Sequence, residues 1–270
     1  CGQAVLINAR PQFEGVQGWN TYPDYKYDNK DLWAIWGELL QATDVVNQDY
    51  DFDVVNVGRQ VLGNLFSDYR SQFTACYKRK DLSGAEQWAK RMDDLILDVD
   101  RLLSCSPLFS MGKWIKDAKD CAASEDEKNY YEENARGIVT VWGQKDTQLN
   151  DYANRGWAGL TKSFYRGRWK LFTDGVLAAM KANRSFDEKK FHKDVTEFEY
   201  QWTLQHEDFP ISSGESAVKV ANELWNKYQN DFRYLLMLKV VLSLKLKFYR
   251  SLSEKKFFEK SRRLSYSLFP

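Results

Sequence analysis

Chemistry in this chain would have to come from its carboxylates, its two histidines or its four cysteines, and their spacing limits each of them. Hydrolysis of a glycosidic bond needs two carboxyl groups roughly 5 to 10 Å apart across a sugar. Helical i, i+4 pairs such as Asp94 with Asp98, or Glu197 with Gln201, could supply neighbouring acceptors, but charged helical residues mostly face water, and a solvated face is the expectation for both. His192 and His206 read as two positions on one helix, about four turns apart, too far to share a ligand. Cys1, Cys76, Cys105 and Cys121 lack metal-ligand spacing, so neither zinc nor haem nor any other cofactor is expected. Buried thiols are the simple expectation, and a Cys105–Cys121 disulfide is the alternative. No Gly-rich phosphate loop and no Ser-His-Asp arrangement can be drawn. From its residues alone the chain reads as a helical domain without catalytic residues of its own.

The stretch that organises the rest runs from Asn134 to Trp157. Tyr131, Ala135, Ile138, Val139 and Trp142 share one side of a helix at three-to-four spacing. That helix is predicted to start at a capping box, Ser124 with Glu127, and to end at Trp142. Gly143 then stands where a C-terminus wants positive φ. A new helix is predicted from Asp151, a good N-cap residue. Trp142 is thereby placed at the lip of a helix, beside a loop, opposite the next helix mouth. Such a ring could line a ligand pocket; pattern alone favours burial.

The elements around it are helical throughout. Asp28 and its neighbours cap a helix with Leu32, Trp33, Trp36, Leu39 and Leu40 on one face. A long helix starts at Asp51 or Asp53 and carries Val54, Val57, Val61, Leu65, Tyr69, Phe73 and Cys76. A third covers Leu82 to Ser104 and stops before Pro107. Met111 to Ala123 form a shorter one. A segment from Asp151 runs through Phe164, Trp169, Phe172 and Val176, with Gly156, Gly159 and Gly167 marking close contacts or a bend. Further helices hold Phe191 to Trp202 and Ser216 to Tyr228. Nothing alternates at period two, and all five prolines lie outside the predicted helices. The fold class is all-α, a multi-helix bundle of antiparallel helix pairs with about eight helices. Residues 1–27 read as an extended lead-in from an upstream domain, 28–228 as the helical domain, and 229–270 as an atypical basic tail.

Composition agrees with a soluble core: 43% of 270 residues are hydrophobic and 15% aromatic, including ten Trp. Such aromatic content suits sugar-handling proteins and large helical cores alike. A net charge of +1 argues against nucleic acid as a partner. The average hides an asymmetry, because residues 229–270 carry ten Lys or Arg against three Asp or Glu and the remainder is net negative. The apolar run Leu235 to Leu242 is too short and too lysine-flanked to span a bilayer. The Lys, Phe, Leu, Ser and Tyr bias fits A/T-rich DNA read out of frame better than a cationic interfacial helix, so no membrane role is expected of the tail. The first residues lack the basic start and apolar core of a signal peptide, and Cys1 in place of Met suggests a start inside a longer protein. Asn183-Arg184-Ser185 is a lone glycosylation sequon.

A series of local patterns runs in order along the chain. It includes Ala9-Arg10-Pro11, then Tyr50-Asp51 with Arg59-Gln60, then Asp98 to Leu103 and Gly112-Lys113-Trp114. Tyr130 to Arg136, Val139 to Gly143, Asp151 to Leu160 and Arg168 to Phe172 continue it. Taken together, residues 9 to 228 resemble the C-terminal all-α domain of the α-N-acetylglucosaminidase family, glycoside hydrolase family 89. The resemblance implies an upstream (β/α)₈ barrel as partner, carrying two catalytic glutamates that act by a retaining mechanism and have no counterpart here. It implies a terminal α-linked N-acetylglucosamine of a glycan as substrate, and a secreted, periplasmic or lysosomal setting. By motif position it makes Trp142 and Leu149 substrate-binding wall residues. Arg136 and Tyr152 are expected in the core, and Asp151 is expected to cap its helix. The alternative function is a non-catalytic helical carbohydrate-binding or interaction module.

Overall fold

The computed structural model describes residues 5–16, 25–42, 47–143, 145 and 149–232. The expectations for residues 1–4, for 17–24 and for the tail from 233 onward, including the Leu235 to Leu242 run, lie outside the described residues. By its contacts the chain divides into two units, Cys1–Trp225 and Asn226–Pro270. The first unit carries the candidate site.

Its helices are α1 (Asn29–Leu39), α2 (Gln48–Lys78), α3 (Leu82–Leu103), α4 (Met111–Asp120), α5 (Glu125–Ile138), α6 (Arg166–Lys181) and α7 (Glu188–Thr203). An eighth, α8, starts at residue 217 and is helical through 232. No extended strand occurs among the described residues; an isolated bridge pairs Ser110 with Ala158. The all-α expectation therefore holds. No helix among the described residues is long and apolar enough to cross a membrane.

Local chemistry explains the boundaries. Asp28 caps α1 by accepting from Lys30 N. The long helix α2 begins three residues ahead of the predicted Asp51, because Asn47 takes Tyr50 N at 2.7 Å and caps first. Ser124 accepts from Glu127 N at 3.3 Å, and the Glu127 carboxylate reaches back to Ala123 N at 2.7 Å, so the capping box forms one residue wider than its simplest version. A three-residue turn joins α2 to α3, which makes these two neighbours antiparallel. The apolar stripes of α2 and α3 meet there, with Val54, Val61, Leu65, Phe73, Leu95, Ile96 and Leu102 all buried. At the far end of the unit, Trp33 stacks on Trp225 with centroids 4.6 Å apart, and Gly37 leaves room for that indole, since a Cβ there would stand 2.8 Å from Trp225 Nε1.

Of the helix limits that differ from expectation, two bear on the site, whereas α4 merely ends at Asp120, short of Ala123. Helix α5 stops at Ile138 rather than at Trp142. No helix starts at Asp151; α6 follows a π-helical turn over Thr161–Tyr165. Residues 157–159 instead pair with the α3–α4 connection, Ala158 N donating to Phe109 O at 2.8 Å and Met111 N to Ala158 O at 3.1 Å. Cys76, Cys105 and Cys121 are free thiols, so the Cys105–Cys121 disulfide does not form.

Asp100 on α3 clasps the entry to α6. Its Oδ1 accepts from Gly159 N at 2.8 Å and from Lys162 N at 2.9 Å, capping that helix from another element. Burial pushes its carboxyl up to about 6, against the pull of the two amides. A carboxyl raised above its unfolded value of about 3.9 stabilises the fold most below pH 4, and the contribution fades as pH rises toward 6. Asp100→Asn should therefore flatten the stability-versus-pH curve between pH 4 and 6 relative to the parent, by roughly 2–3 kcal/mol across that window. Urea titrations of both proteins over this range measure it; parallel curves would refute it.

Candidate functional site

The segment between α5 and α6 forms a closed loop on a short neck. Trp142 N donates to Gly137 O at 2.7 Å, and Asp151 N donates to Thr140 O at 2.8 Å, which joins the two ends. Thr140, fully buried, anchors its side of the neck by donating to Arg136 O at 2.6 Å. Gly143 has the expected positive φ, 152°, and Trp142 before it takes the left-handed conformation, with φ of 55°. An aromatic residue there costs free energy that a glycine would not, so the surrounding bonds must hold it.

Trp142 is half-buried, and its ring packs on Tyr152 with centroids 4.9 Å apart. Tyr152 and Leu149 are exposed, as is Ile138 at the end of α5. The structure therefore brings Trp142, Leu149 and Tyr152 onto one loop and leaves apolar surface open there. The core expectation for Tyr152 is overturned: residues 151–153 form a turn at the neck, which carries the ring outward. That for Arg136 holds. Arg136 is fully buried, donates to Glu132 Oε1 through Nε at 3.0 Å and Nη2 at 2.8 Å, and lies over the rings of Trp202 and Phe209.

Asp151 does not cap a helix. It adopts φ of 65°, a conformation aspartate tolerates, and its buried carboxylate meets Arg168 on α6 in a two-pronged bond, Nη1 to Oδ2 at 3.0 Å and Nη2 to Oδ1 at 2.9 Å. Arg168 Nε lies 2.7 Å from Glu199 Oε1, an ion-pair contact whose angle is poor for a hydrogen bond. Arg10 pairs with the same Glu199. Burial raises the Asp151 pKa while Arg168 opposes it. For Arg168, burial disfavours the charged form, but Asp151 and Glu199 outweigh it and the pKa stands above its ordinary value. Two cations and two carboxylates thus sit in the interior as a neutral set.

None of Arg10, Arg168 and Glu199 stood out as functional from the sequence. A signal existed, since each helical member interrupts an apolar stripe. Arg168 falls four residues from both Phe164 and Phe172, and Glu199 falls between Val195 and Trp202. The carboxylate pairs considered for catalysis are solvated: Asp94 pairs with Lys90, and Glu197 with Lys145, on open surface. The histidines do not share a helix, because α7 ends at Thr203; His192 lies beside Arg10, and His206 bonds Glu132 Oε2 at 3.2 Å. Among the described residues, no group of three or more His, Cys, Asp or Glu is placed to hold a metal ion.

Removing one partner from a buried pair leaves the other uncompensated. Asp151→Ala and Arg168→Ala should each cost about 3–5 kcal/mol of stability, whereas the double variant should fall well short of the sum. Urea unfolding of the three variants gives the cycle. Additive losses would mean that the two side chains do not act as a pair.

The chain matches the family described as "Alpha-N-acetylglucosaminidase (NAGLU) C-terminal domain" over residues 1–227. It is 27% identical over 205 residues to the alpha-N-acetylglucosaminidase of Homo sapiens, covering 75% of this chain and 28% of the human protein. A family 89 glycoside hydrolase from Clostridium perfringens, solved in complex with 2-acetamido-1,2-dideoxynojirmycin, superposes with a TM-score of 0.75 at 26% identity. That match covers 82% of this chain and 26% of the other. A further structure from that organism, in complex with its substrate GlcNAc-alpha-1,4-galactose, reaches a TM-score of 0.77 at 24% identity, over 85% of this chain and 28% of that one, and speaks to the fold. The chain spans about a quarter of the length of these relatives. It belongs to the α-N-acetylglucosaminidase C-terminal domain family, the helical C-terminal part of glycoside hydrolase family 89.

Proposed function

We propose that this domain packs against an upstream (β/α)₈ barrel, which carries the two catalytic glutamates, and supplies one wall of the pocket for a terminal α-linked N-acetylglucosamine. The observation that carries this reading is the open apolar edge of Trp142, Leu149 and Tyr152, borne on a loop whose neck is tied into the core. A loop that only connected α5 to α6 would need neither an aromatic ring held at positive φ nor exposed apolar neighbours. The ring of Trp142 offers a flat face to a sugar, and exposed Leu149 lies on the same loop. The inhibitor and substrate named with the Clostridium perfringens enzyme structures support the N-acetylglucosaminide class.

In this scheme residues 1–27 lead in from the barrel, 28–228 form the helical domain, and 229–270 are an atypical appendage. The enzyme acts outside the cytosol, in a secreted, periplasmic or lysosomal setting. In this reading catalysis rests on the barrel's two glutamates, and the carboxylates weighed from the sequence, Asp94 and Glu197, serve solvated ion pairs with lysines.

The purified chain should show no turnover of an aryl α-N-acetylglucosaminide above buffer; measurable release of the aryl group would overturn the division of labour. In an enzyme that joins this domain to its barrel, Trp142→Ala should lower kcat/KM by the equivalent of roughly 1–3 kcal/mol while the unfolding midpoint moves little. Loss of stability with unaltered kinetics would return Trp142 to the core.

A further inference from the structure

The loop that carries Trp142 and Leu149 shares one buried carboxylate with the segment that leads into the domain. Glu199 on α7 is 1% exposed. Its Oε1 accepts from Arg10 Nε at 2.9 Å and lies 2.7 Å from Arg168 Nε. Its Oε2 accepts from Arg10 Nη2 and, at 2.8 Å, from Asn150 Nδ2. Each oxygen thus serves two segments, and Arg10 is on both. The backbone on either side of Arg10 is itself core, with Val5 through Pro11 buried and Ile7 O accepting from Trp169 Nε1 at 3.0 Å.

Charge makes the arrangement interdependent. Arg10 and Arg168 balance Glu199 and Asp151. Without Arg10, one guanidinium faces two carboxylates in a dry interior, and the excess negative charge must take up a proton, draw in water or turn outward. Every one of those responses disturbs the Glu199 oxygen that holds Asn150, and the next residue, Asp151, closes the neck of the loop. A cluster that served only to fill the core would have no use for a loop amide.

We propose that Arg10 is a positioning residue: acting through Glu199, it seats the Asn150–Asp151 end of the Trp142 loop, so that docking of the lead-in and placement of the loop are one equilibrium. The consequence for substrate rests on the pocket-edge reading above; the coupling itself does not. Because such coupling is reciprocal, loosening either end must loosen the other.

Amide hydrogen exchange on the whole chain tests it, with the neck amides of Trp142 and Asp151 as reporters. Arg10→Ala should speed exchange across residues 140–152 by tenfold or more, on the scale of one lost charge-assisted bond, while α2 and α3 keep their protection. Arg10→Lys should recover part of the protection. Asn150→Ala should in turn speed exchange across residues 5–11. Unchanged exchange over 140–152, or a rise shared equally by α2 and α3, would overturn the proposal. Should Arg10→Ala fail to fold, Asn150→Ala decides: an undisturbed lead-in refutes the coupling. In the barrel-joined enzyme, Arg10→Lys should raise KM by a larger factor than it lowers kcat. If Trp142→Ala changes KM and Arg10→Lys does not, the coupling fails and the pocket edge stands; if Arg10→Ala frees the loop and Trp142→Ala leaves KM alone, the pocket edge fails and the coupling stands.

Discussion

A single guanidinium, that of Arg168, sits where four parts of the chain meet, and the geometry of the candidate site depends on it. It is fully buried and rests on the Phe164 ring with its central carbon 4.2 Å from the centroid. From there it binds Asp151 in the loop, contacts Glu199 on α7, and donates to Asn8 O in the lead-in at 3.3 Å. Taking such a charge out of water costs several kcal/mol, and its partners repay little more than that. Apolar side chains could fill the same space at similar stability. They could not discriminate among registers, because an apolar contact survives a small slide or rotation, whereas a two-pronged guanidinium–carboxylate bond does not. The cluster is therefore best understood as fixing where four segments lie relative to one another, and the seat of the Trp142 loop follows from that.

The tryptophans reveal the same division between packing and positioning. Trp36, Trp169 and Trp202 are almost wholly buried, and each indole N–H finds an acceptor: Val54 O, Ile7 O and Ser163 Oγ, all near 3.0 Å. Trp33 and Trp225 stack on one another, and Trp114 donates to Ala135 O while lying against Trp157. Most of the described tryptophans thus serve packing between elements, the large ring filling the space and, in Trp36, Trp114, Trp169, Trp202 and Trp225, donating its N–H as well. Trp142 departs from this pattern in backbone and location. Its neighbour across the ring is exposed Tyr152, not a core side chain.

Much of the fold was legible because its determinants are local. The stripes on α2 and α3 repeat at helical spacing over many turns, and capping residues such as Asp28 and Ser124 act on amides two or three positions away. What the sequence concealed is determined from a distance. Asp151 has the side chain of a good N-cap, and nothing nearby says that Arg168, seventeen residues later, will take both of its oxygens. With that carboxylate committed, the amides at the entry to α6 are capped by Asp100 from another helix. The α5 terminus was misplaced for a related reason. Val139 and Trp142 continue the apolar period, yet Trp142 N turns back to Gly137 O and ends the helix early. That Trp142 stands near a loop carrying Leu149 was legible from the sequence, but its place on that loop and the four-residue charged set behind it were not, since only the fold ends α5 early and brings Arg10 beside Glu199.

The positive φ at Trp142 sharpens what kind of loop this is. Left-handed backbone at a non-glycine residue costs roughly 1–2 kcal/mol, and a mobile connection would relax it. Here the bond from Trp142 N to Gly137 O and the neck bond from Asp151 N to Thr140 O hold the turn from both sides. Thr140 and Asp151 are themselves buried, which shields the neck bond from water. The strain persists because the surrounding structure determines the turn more strongly than the local preference opposes it. In the proposed role of pocket wall, a loop built this way would not close over a ligand by reorganising; it would present a ring already oriented, its ordering completed at folding rather than at binding.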